Sequence, residues 1–236
     1  GTPVVNLTAG DVEIRVDGVL PGENATVIGP VTVTFEQDTL YRVIAVNDVA
    51  NVEPVILEQP DTAVPAGTLR VRILHAAPLA PEVDVYVTAP GADLAASSPV
   101  GTFEFRGDLG PVEITGGDYQ IRVTAAGDPG AVVFDSGTVS LASGSDLLVA
   151  AVENTTTGAA PVNLVVQSRA SGDTATLFDI DTPADLRVIH AVPDAPAVDV
   201  VVNDDFNAPL VSNLAFPGFT PFVNVPPDSY NVKVAP

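Results

Sequence analysis

The chain has 236 residues, of which 46% are hydrophobic, and it contains no Cys, Met or Trp. This length is enough for one large domain or two ordinary ones. The lack of Cys excludes disulfides, thiolate nucleophiles and cysteine metal sites. Thirty acidic residues against nine basic ones give a formal net charge of −21. Such a field repels nucleic acid and anionic lipid, so neither is an expected partner.

The charge and the missing sulfur also bear on where the protein works. A strongly acidic surface stays soluble at high salt, where its self-repulsion is screened, and this is typical of a salt-exposed surface protein. A merely acidic soluble protein has the same composition. A chain without Cys or Met offers oxidants little to attack, which suits an extracellular location. The unbroken apolar runs are far shorter than a membrane span, so no spanning helix is expected.

Alternation of apolar and polar residues at period two predicts short β-strands along the whole chain. In chain order the clearest predicted strands are residues 12–16, 31–35, 41–46, 69–75, 83–87, 119–123, 138–141, 147–152, 164–167, 186–190, 198–202 and 230–234. Helix signals are nearly absent, and the 22 prolines suit strand ends and edges. The pattern predicts an all-β protein of tandem immunoglobulin-like β-sandwich modules.

Three sequence elements recur along the chain. RILHAAPLAPEVDVYV at 72–87 returns as RVIHAVPDAPAVDVVV at 187–202, which places the only two histidines at the same point. TAGDVEIRV at 8–16 returns as TGGDYQIRV at 115–123 and PPDSYNVKV at 226–234. LYRVIAV at 40–46 returns as DLLVAAV at 146–152.

The order of these elements predicts the domain organisation. Residues 69–168 carry a complete β-sandwich module, residues 1–59 carry only the back part of one, and residues 186–236 carry only a front part. Linkers rich in Pro, Gly, Asp and Thr separate them at 58–68 and 169–185.

The motif R-x-x-H-x-x-P-x-A-P-x-V-D-V resembles the bacterial secreted family known as domain of unknown function 4397. The matching residues are Arg72, His75, Pro78, Ala80, Pro81, Val83, Asp84 and Val85, then Arg187, His190, Pro193, Ala195, Pro196, Val198, Asp199 and Val200. The resemblance implies an exported β-sandwich module, often repeated in tandem, with no established activity. This chain departs from the family in order, because it starts inside one module and stops inside another.

Each histidine continues the apolar face of its strand. His75 follows Val71 and Ile73 at period two, so its side chain is predicted to point inward at the strand end. A buried imidazole beside a turn is normally satisfied by backbone groups, and that structural role is the preferred interpretation for both histidines. The alternative, a metal or catalytic histidine, lacks companions at the spacing of a triad or an H-E-x-x-H site, so no enzyme activity is expected.

The other motif residues are predicted to shape the connection between the two strands of the motif, here called the corner. The first proline ends pairing because it lacks a donor, and the Ala-Pro pair sets an extended bend. The valines of Val-Asp-Val should face inward, with Asp84 and Asp199 outward. Arg72 and Arg187 lie on the face opposite the histidines and are predicted to meet these aspartates.

Acidic and glycosylation motifs supply the remaining candidate sites. DIDTPAD offers Asp179, Asp181 and Asp185 as candidate calcium ligands, with a second acidic stretch at 203–205. Neither stretch matches an EF-hand loop, and a solvated acidic linker is the simpler interpretation. Apart from calcium, no cofactor is expected. Sequons begin at Asn6, Asn24 and Asn154 and would matter only where surface proteins are glycosylated.

Two classes of function remain open from these observations. The first is an extracellular or cell-surface structural protein, a fibre protomer that assembles head-to-tail with other copies by strand or half-domain complementation. The second is an exported adhesion module that binds glycan or calcium. Glycan sites use exposed aromatic platforms, and with no Trp the best single candidate is Tyr86. That scarcity favours the structural class.

The split module has three possible solutions. The two ends join within one chain, they join between chains, or the chain is a slice of a longer tandem array. The strand at 10–16 and the strand at 230–234 are copies of one element, so a perfect join has one strand to spare. Assembly between chains is the favoured interpretation.

Overall fold

The computed structural model describes residues 4–18 and 25–236. Within these ranges the protein is all-β, and the one helical element is a 3-10 turn at Leu94–Ala96. No helix in the described part of the chain is long and apolar enough to cross a membrane. The chain divides into two compact units, Gly1–Thr155 with Ala160–Asp179, and Thr156–Ala159 with Ile180–Pro236.

The described residues contain twenty strands. Those of the first unit are β1 (Gly10–Gly18), β2 (Ala25–Phe35), β3 (Thr39–Val46), β4 (Glu53–Pro60), β5 (Thr68–His75), β6 (Val83–Thr88), β7 (Gly101–Phe103), β8 (Asp108–Thr115), β9 (Gly117–Ala125), β10 (Val132–Leu141), β11 (Asp146–Glu153), β12 (Val162–Ser168) and β13 (Thr174–Leu177). Those of the second unit are β14 (Ala184–Leu186), β15 (Ile189–His190), β16 (Val198–Val202), β17 (Val211–Leu214), β18 (Gly218–Phe219), β19 (Val223–Val225) and β20 (Val232–Ala235).

Residues 68–177, here called the central module, form two sheets around one core. One sheet has the order β13-β12-β11-β5-β8 and the other the order β10-β9-β6-β7. The core between them contains Ala77, Val83, Val85, Phe103, Ile121, Val123, Phe134, Val149, Ala151, Val162 and Leu164. Period-two alternation on β6 and β9 sends these apolar side chains to one face. The immunoglobulin-like topology stays a prediction.

The five-stranded sheet is covered on its second face as well. Leu74, Leu148 and Ala150 project there and pack against Leu57 of the β3–β4 hairpin. A strand that is buried on both faces needs apolar residues at successive positions. This accounts for the run DLLVAAV in β11, where period-two alternation is lost.

The hairpin β1–β2 precedes this layer. Its ladder runs from Gly10 opposite Phe35 to Gly18 opposite Ala25. A register shift follows Ile14, and Gly29 lies in β2 near that point with φ +88°. A Cβ on Gly29 would lie 2.5 Å from the Ile14 carbonyl oxygen, so the bulge requires glycine there. The hairpins β1–β2 and β3–β4 are here called the N-terminal hairpins.

The second unit has three small sheets, β14-β19, β15-β18 and β17-β16-β20. The single strand predicted at 186–190 is therefore divided into β14 and β15. The interruption lies at Val188, whose N–H donates to the Thr220 hydroxyl oxygen at 3.1 Å while its carbonyl accepts from the Thr220 N–H at 3.0 Å. Pro221 follows and has no N–H to continue the ladder.

Candidate functional site

The first histidine closes the corner between β5 and β6. His75 is buried at the end of β5, and its Nε2 lies 3.2 Å from the carbonyl oxygen of Pro81. Its Nδ1 accepts the N–H of Ala77 at 3.4 Å. A ring whose Nδ1 accepts a hydrogen bond carries its proton on Nε2, which here donates to the Pro81 carbonyl oxygen. Both ring nitrogens are therefore occupied by main-chain groups.

The second histidine repeats this geometry atom for atom. His190 is buried at the end of β15, with Nε2 3.0 Å from the carbonyl oxygen of Pro196. Its Nδ1 accepts the N–H of Val192 at 3.3 Å. In each copy one ring ties the end of a strand to the start of the next strand of the motif. Pro78 and Pro193 lie within the same two connections.

One of the two motif aspartates is not exposed to solvent as predicted. Asp84 was expected to face solvent, but it is buried and accepts the Thr102 hydroxyl at 2.5 Å and the Gly127 N–H at 2.8 Å. Asp199 accepts the N–H of Asn213 at 2.7 Å. The outward prediction for Asp84 is wrong because its carboxylate binds Thr102 of the neighbouring strand β7 and the loop at Gly127, which remove it from solvent.

The motif arginines do not meet these aspartates either. Arg72 binds Asp108 at 2.6 Å and also donates to the carbonyl oxygen of Glu58. Arg187 lies over the Phe219 and Phe222 rings, with its guanidinium carbon 5.5 and 4.1 Å from their centroids. In the central module the predicted contact fails for a simple reason: β5 and β6 belong to different sheets.

A buried ionic cluster that the sequence did not predict lies below the β3–β4 hairpin. Asp146 binds Arg42 at 2.8 Å and accepts the Gln59 amide at 3.0 Å. Arg70 and Arg169 each have a guanidinium nitrogen 3.6 Å from its second oxygen. The side chain of Asp146 is only 6% exposed, so its charge depends on these partners. The sequence feature that could have indicated this cluster is a pair of arginines, at 70 and 72, on one face of a largely apolar strand.

The candidate calcium ligands have partners in the protein. Asp179 accepts the N–H of Asp135 at 2.8 Å, and Asp185 accepts the Asn224 side-chain amide at 2.7 Å. Asp181 also makes an interaction within the structure. In the described residues, no three acidic or histidine side chains converge as a metal would need. In the second stretch Asp204 forms an ion pair with Lys233.

The glycosylation and glycan candidates have different fates. Asn6 is exposed, whereas Asn24 lies outside the described residues. The side-chain amide of Asn154 donates to the Ala160 carbonyl at 2.9 Å. Tyr86 was considered as an exposed platform, and this is wrong because the side chain is buried. Like Asp84, it lies on the face of β6 opposite to Val83 and Val85.

The second unit repeats the strand register of the central module. Val85 pairs with Val123 in the central module, and their counterparts Val200 and Val234 pair in the second unit. On the other sheet, Leu74 pairs with Asp108, and their counterparts Ile189 and Phe219 also pair. The strands β5 to β9 therefore have counterparts in β14 to β20.

The N-terminal hairpins repeat the rest of the central module. Val12 pairs with Val33 in β1–β2, as Tyr119 pairs with Val139 in β9–β10. In β3–β4, residue 45 pairs with 54, as residue 151 pairs with 164 in β11–β12. The hairpins thus correspond to β9, β10, β11 and β12. The second unit and the hairpins share only the counterpart of β9.

Counterpart residues differ sharply in exposure. Val123 is 1% exposed and Leu74 0%, whereas their counterparts Val234 and Ile189 are 67% and 66% exposed. In the hairpins Val43 is 40% exposed, and its counterpart Val149 is 6% exposed. Some apolar positions that are buried in the central module are therefore at the surface in the second unit and in the hairpins, while other counterpart positions stay buried in both copies.

Comparison with known proteins now gives the family. The family model described as Domain of unknown function (DUF4397) matches residues 1–86 and 184–236. The chain belongs to the DUF4397 family. The matched ranges include both hairpins and both copies of the histidine motif, and they exclude residues 87–183. No curated protein and no solved structure matches the DUF4397 chain.

Proposed function

We propose that this DUF4397 protein is a structural protein of the cell surface or the extracellular space. Its copies join head-to-tail, with the N-terminal hairpins of one copy completing the second unit of the next. The observation that carries this proposal is the exposure of counterpart residues: several apolar positions that are buried in the central module, Val123 and Val149 among them, have exposed counterparts in the two partner regions. A head-to-tail contact uses two different surfaces, so it propagates as a filament instead of closing into a dimer.

The central module supplies the geometry of the joint. There β11 lies parallel to β5, with Val149 beside Ile73 and Ala151 beside His75. The equivalent joint places β3 of one copy beside β14 and β15 of another. In that register Val43 lies beside Val188. Main-chain hydrogen bonds between two open strands supply the adhesion in such strand addition, and the side chains supply the register.

A groove beside β3 fits the incoming strand. It has a volume of about 740 Å³ and lies between β3 and the second face of β11 and β12. Ile44, Leu148 and Ala150 contribute to its apolar lining. In the proposed register Ile189 lies next to Ile44, so its exposed side chain would enter this groove. Burial of an isoleucine side chain stabilises an interface by about 1.5–3 kcal/mol.

The two arginines that meet at this joint already have partners within their own copies. The proposed register brings Arg42 next to Arg187, which are like charges. Arg42 is paired with Asp146 at 2.8 Å, and Arg187 is stacked on Phe222. Over longer distances both partners are acidic, since residues 1–60 carry nine acidic and two basic side chains and residues 184–236 carry six and two. Assembly should therefore strengthen with salt, which screens this repulsion.

The test compares full-length protein with a variant lacking residues 1–59, by size-exclusion chromatography and negative-stain microscopy. Full-length protein should form oligomers or fibres at high salt, and the truncated form should not. Since the deletion also uncovers Leu74 and Leu148, a point variant is needed. Val43→Asp should abolish assembly while leaving the circular dichroism spectrum unchanged, because Val43 is exposed in the unassembled chain.

The matched control is Val49→Asp, which adds the same charge at a fully exposed valine in the β3–β4 turn. It should assemble like the parent protein. A full-length protein that stays a strict monomer at high concentration and high salt would refute assembly between chains. Equal loss of assembly in both variants would show that added charge, and not the β3 face, is responsible.

A further inference from the structure

Two strands of this protein are copies of the same strand of the central module. In β9 the sequence is GDYQIRV, in β1 it is GDVEIRV, and at the C-terminal end the segment DSYNVKV contains the start of β20. In the central module β9 lies between β6 and β10. In the second unit β20 occupies the position beside β16, the counterpart of β6. In a joint made from the hairpins and the second unit, β1 and β20 therefore compete for the same position beside β16, the position that β9 takes beside β6.

We infer that β20 is a stand-in for β1: it pairs with β16 only until β1 of another copy displaces it. The inference rests on the proposed head-to-tail assembly and adds how the joint is formed. The β1–β2 hairpin enters as a unit, so that β16, β1 and β2 take the places of β6, β9 and β10. The segment that carries β20 is then released.

Pair counts favour β1 over β20. The ladder between β16 and β20 has four residue pairs, from Asp199 with Ala235 to Val202 with Val232. The ladder between β1 and β2 has eight. If β20 stayed in place, β2 would have to leave β1 in order to pair with β20, so eight pairs would be broken. Displacement breaks four pairs and keeps the hairpin intact.

The side chains of β20 are also weakly held. Val232 and Val234 are both largely exposed, so the strand buries little apolar surface. The ion pair between Lys233 and Asp204 has about half of each side chain in solvent. Exposed pairs of this kind contribute about 0–1 kcal/mol.

Charge complementarity supports the same exchange. In the central module Arg122 of β9 lies opposite Tyr86, and in the second unit Lys233 lies opposite Val201. The corresponding residue of β1 is Arg15, whose side chain is 59% exposed and binds Asp17 two residues away. An incoming β1 places Arg15 where Lys233 was, next to Asp204. All three copies of the strand therefore carry a basic residue at this position.

The register of the exchanged strand follows from the central module. Val87 pairs with Ile121 there, so the displaced joint places Ile14 of one copy opposite Val202 of another. If β20 instead stays and accepts β2, the pairing of Thr138 with Gln120 predicts Thr32 opposite Asn231. The two modes therefore bring different residue pairs together.

The experiment uses disulfide trapping in the full-length chain, which has no native Cys. Ile14→Cys protein is mixed with Val202→Cys protein at high salt under mild oxidation, and mixed dimers are read on non-reducing gels. Each variant alone controls for chance oxidation. Glu13→Cys with Val202→Cys is the matched control, because neighbouring residues of a strand point to opposite faces. We expect trapping for Ile14→Cys with Val202→Cys and at least tenfold less for the control.

The second mixture, Thr32→Cys with Asn231→Cys, tests the competing mode. Trapping of this pair alone would overturn the stand-in role of β20 and leave head-to-tail assembly standing. Oligomers in which neither pair is trapped would have the same meaning. Monomeric protein with no trapped pair refutes both the assembly and the exchange. A crosslink within single monomeric chains that carry both Ile14→Cys and Val202→Cys would show that β1 pairs with β16 of its own chain. That result would overturn the exchange between copies.

Removal of residues 230–236 gives a second, independent readout. If β20 is a stand-in, the deletion leaves the β16 edge free and assembly should begin at a concentration about tenfold lower. If β20 belongs to the joint, the deletion should raise that concentration or abolish assembly, and the inference fails. Val234→Asp weakens β20 without shortening the chain, and it should change assembly in the same direction as the deletion.

Discussion

The central module and the second unit contain the same motif with the same strand register, yet their apolar residues have different surroundings. Leu74 is fully buried under the β3–β4 hairpin, and its counterpart Ile189 is largely exposed. The histidine corner is formed in both regions, with ring-to-backbone distances that differ by only 0.1–0.2 Å. The corner therefore depends on local sequence, whereas burial of the strands depends on the elements that cover them.

This difference separates two sources of stability. A local hydrogen-bonded corner forms wherever its short segment is present. A core forms only when the strands corresponding to β10, β11 and β12 extend the two sheets that enclose it. The same residue types at matched positions can thus be used to measure each contribution on its own.

The largest effect is expected at Asp146, the charge that distinguishes the central module from the N-terminal hairpins, where Leu40 is its counterpart. Asp146→Ala leaves Arg42 and Arg70 without their buried partner and should lower the free energy of unfolding by about 3–5 kcal/mol. Denaturant unfolding measures it. Asp61→Ala removes an exposed partner of Arg169 and should cost less than about 1 kcal/mol. Similar losses in both variants would contradict the view that burial makes Asp146 important.

The next effect compares Leu74 and Ile189 directly. Leu74→Ala removes a fully buried side chain and should cost about 2–5 kcal/mol. In unassembled protein Ile189→Ala should stay within about 0.5 kcal/mol of the parent, as expected for an exposed residue. The same Ile189→Ala protein should assemble at higher concentrations than the parent. Equal destabilisation of the monomer by the two substitutions would show that the second unit is already covered.

The histidines are expected to show an intermediate effect of similar size in the two regions. His75→Ala and His190→Ala should each lower stability by about 1–3 kcal/mol, the cost of leaving buried hydrogen-bond partners unsatisfied. Thermal or denaturant unfolding followed by circular dichroism measures this loss. Unchanged stability in both single variants would assign the histidines a role other than structural.

Salt should have the smallest effect on the monomer, less than about 1 kcal/mol, since exposed charges interact weakly. The melting temperature should rise as sodium chloride increases from near zero, because the −21 charge is screened. A falling melting temperature would contradict this. Calcium chloride at matched ionic strength is the control, and a rise specific to calcium would indicate that the acidic loops, at 179–185 and 203–205, bind it.

Much of the fold could be predicted from the sequence because its signals are local. Period-two alternation indicates the all-β class and the inward direction of His75 and His190. The motif itself carries enough information to identify the family. Short strands such as β17 and β18 were missed, because a segment of a few residues with Gly and Pro shows no alternation.

The partners of charged residues could not be predicted in this way. Arg72 and Asp84 lie on consecutive strands, but the corner between these strands places them in different sheets. The partners of buried Asp146, Arg42 and Gln59, belong to a hairpin some hundred residues earlier in the chain. Alternation shows which residues share a face, and it does not show what covers that face.

The buried arginines also change the exterior of the molecule. Arg42, Arg70 and Arg72 have side chains no more than 10% exposed, so three of the nine positive charges are withdrawn from solvent. Asp146, which pairs with Arg42 and Arg70, is withdrawn with them, but most of the thirty acidic residues stay outside. A dissolved cation near this protein therefore meets a predominantly anionic shell of side chains. Such a shell gathers its own atmosphere of sodium or magnesium ions and carries it with the molecule.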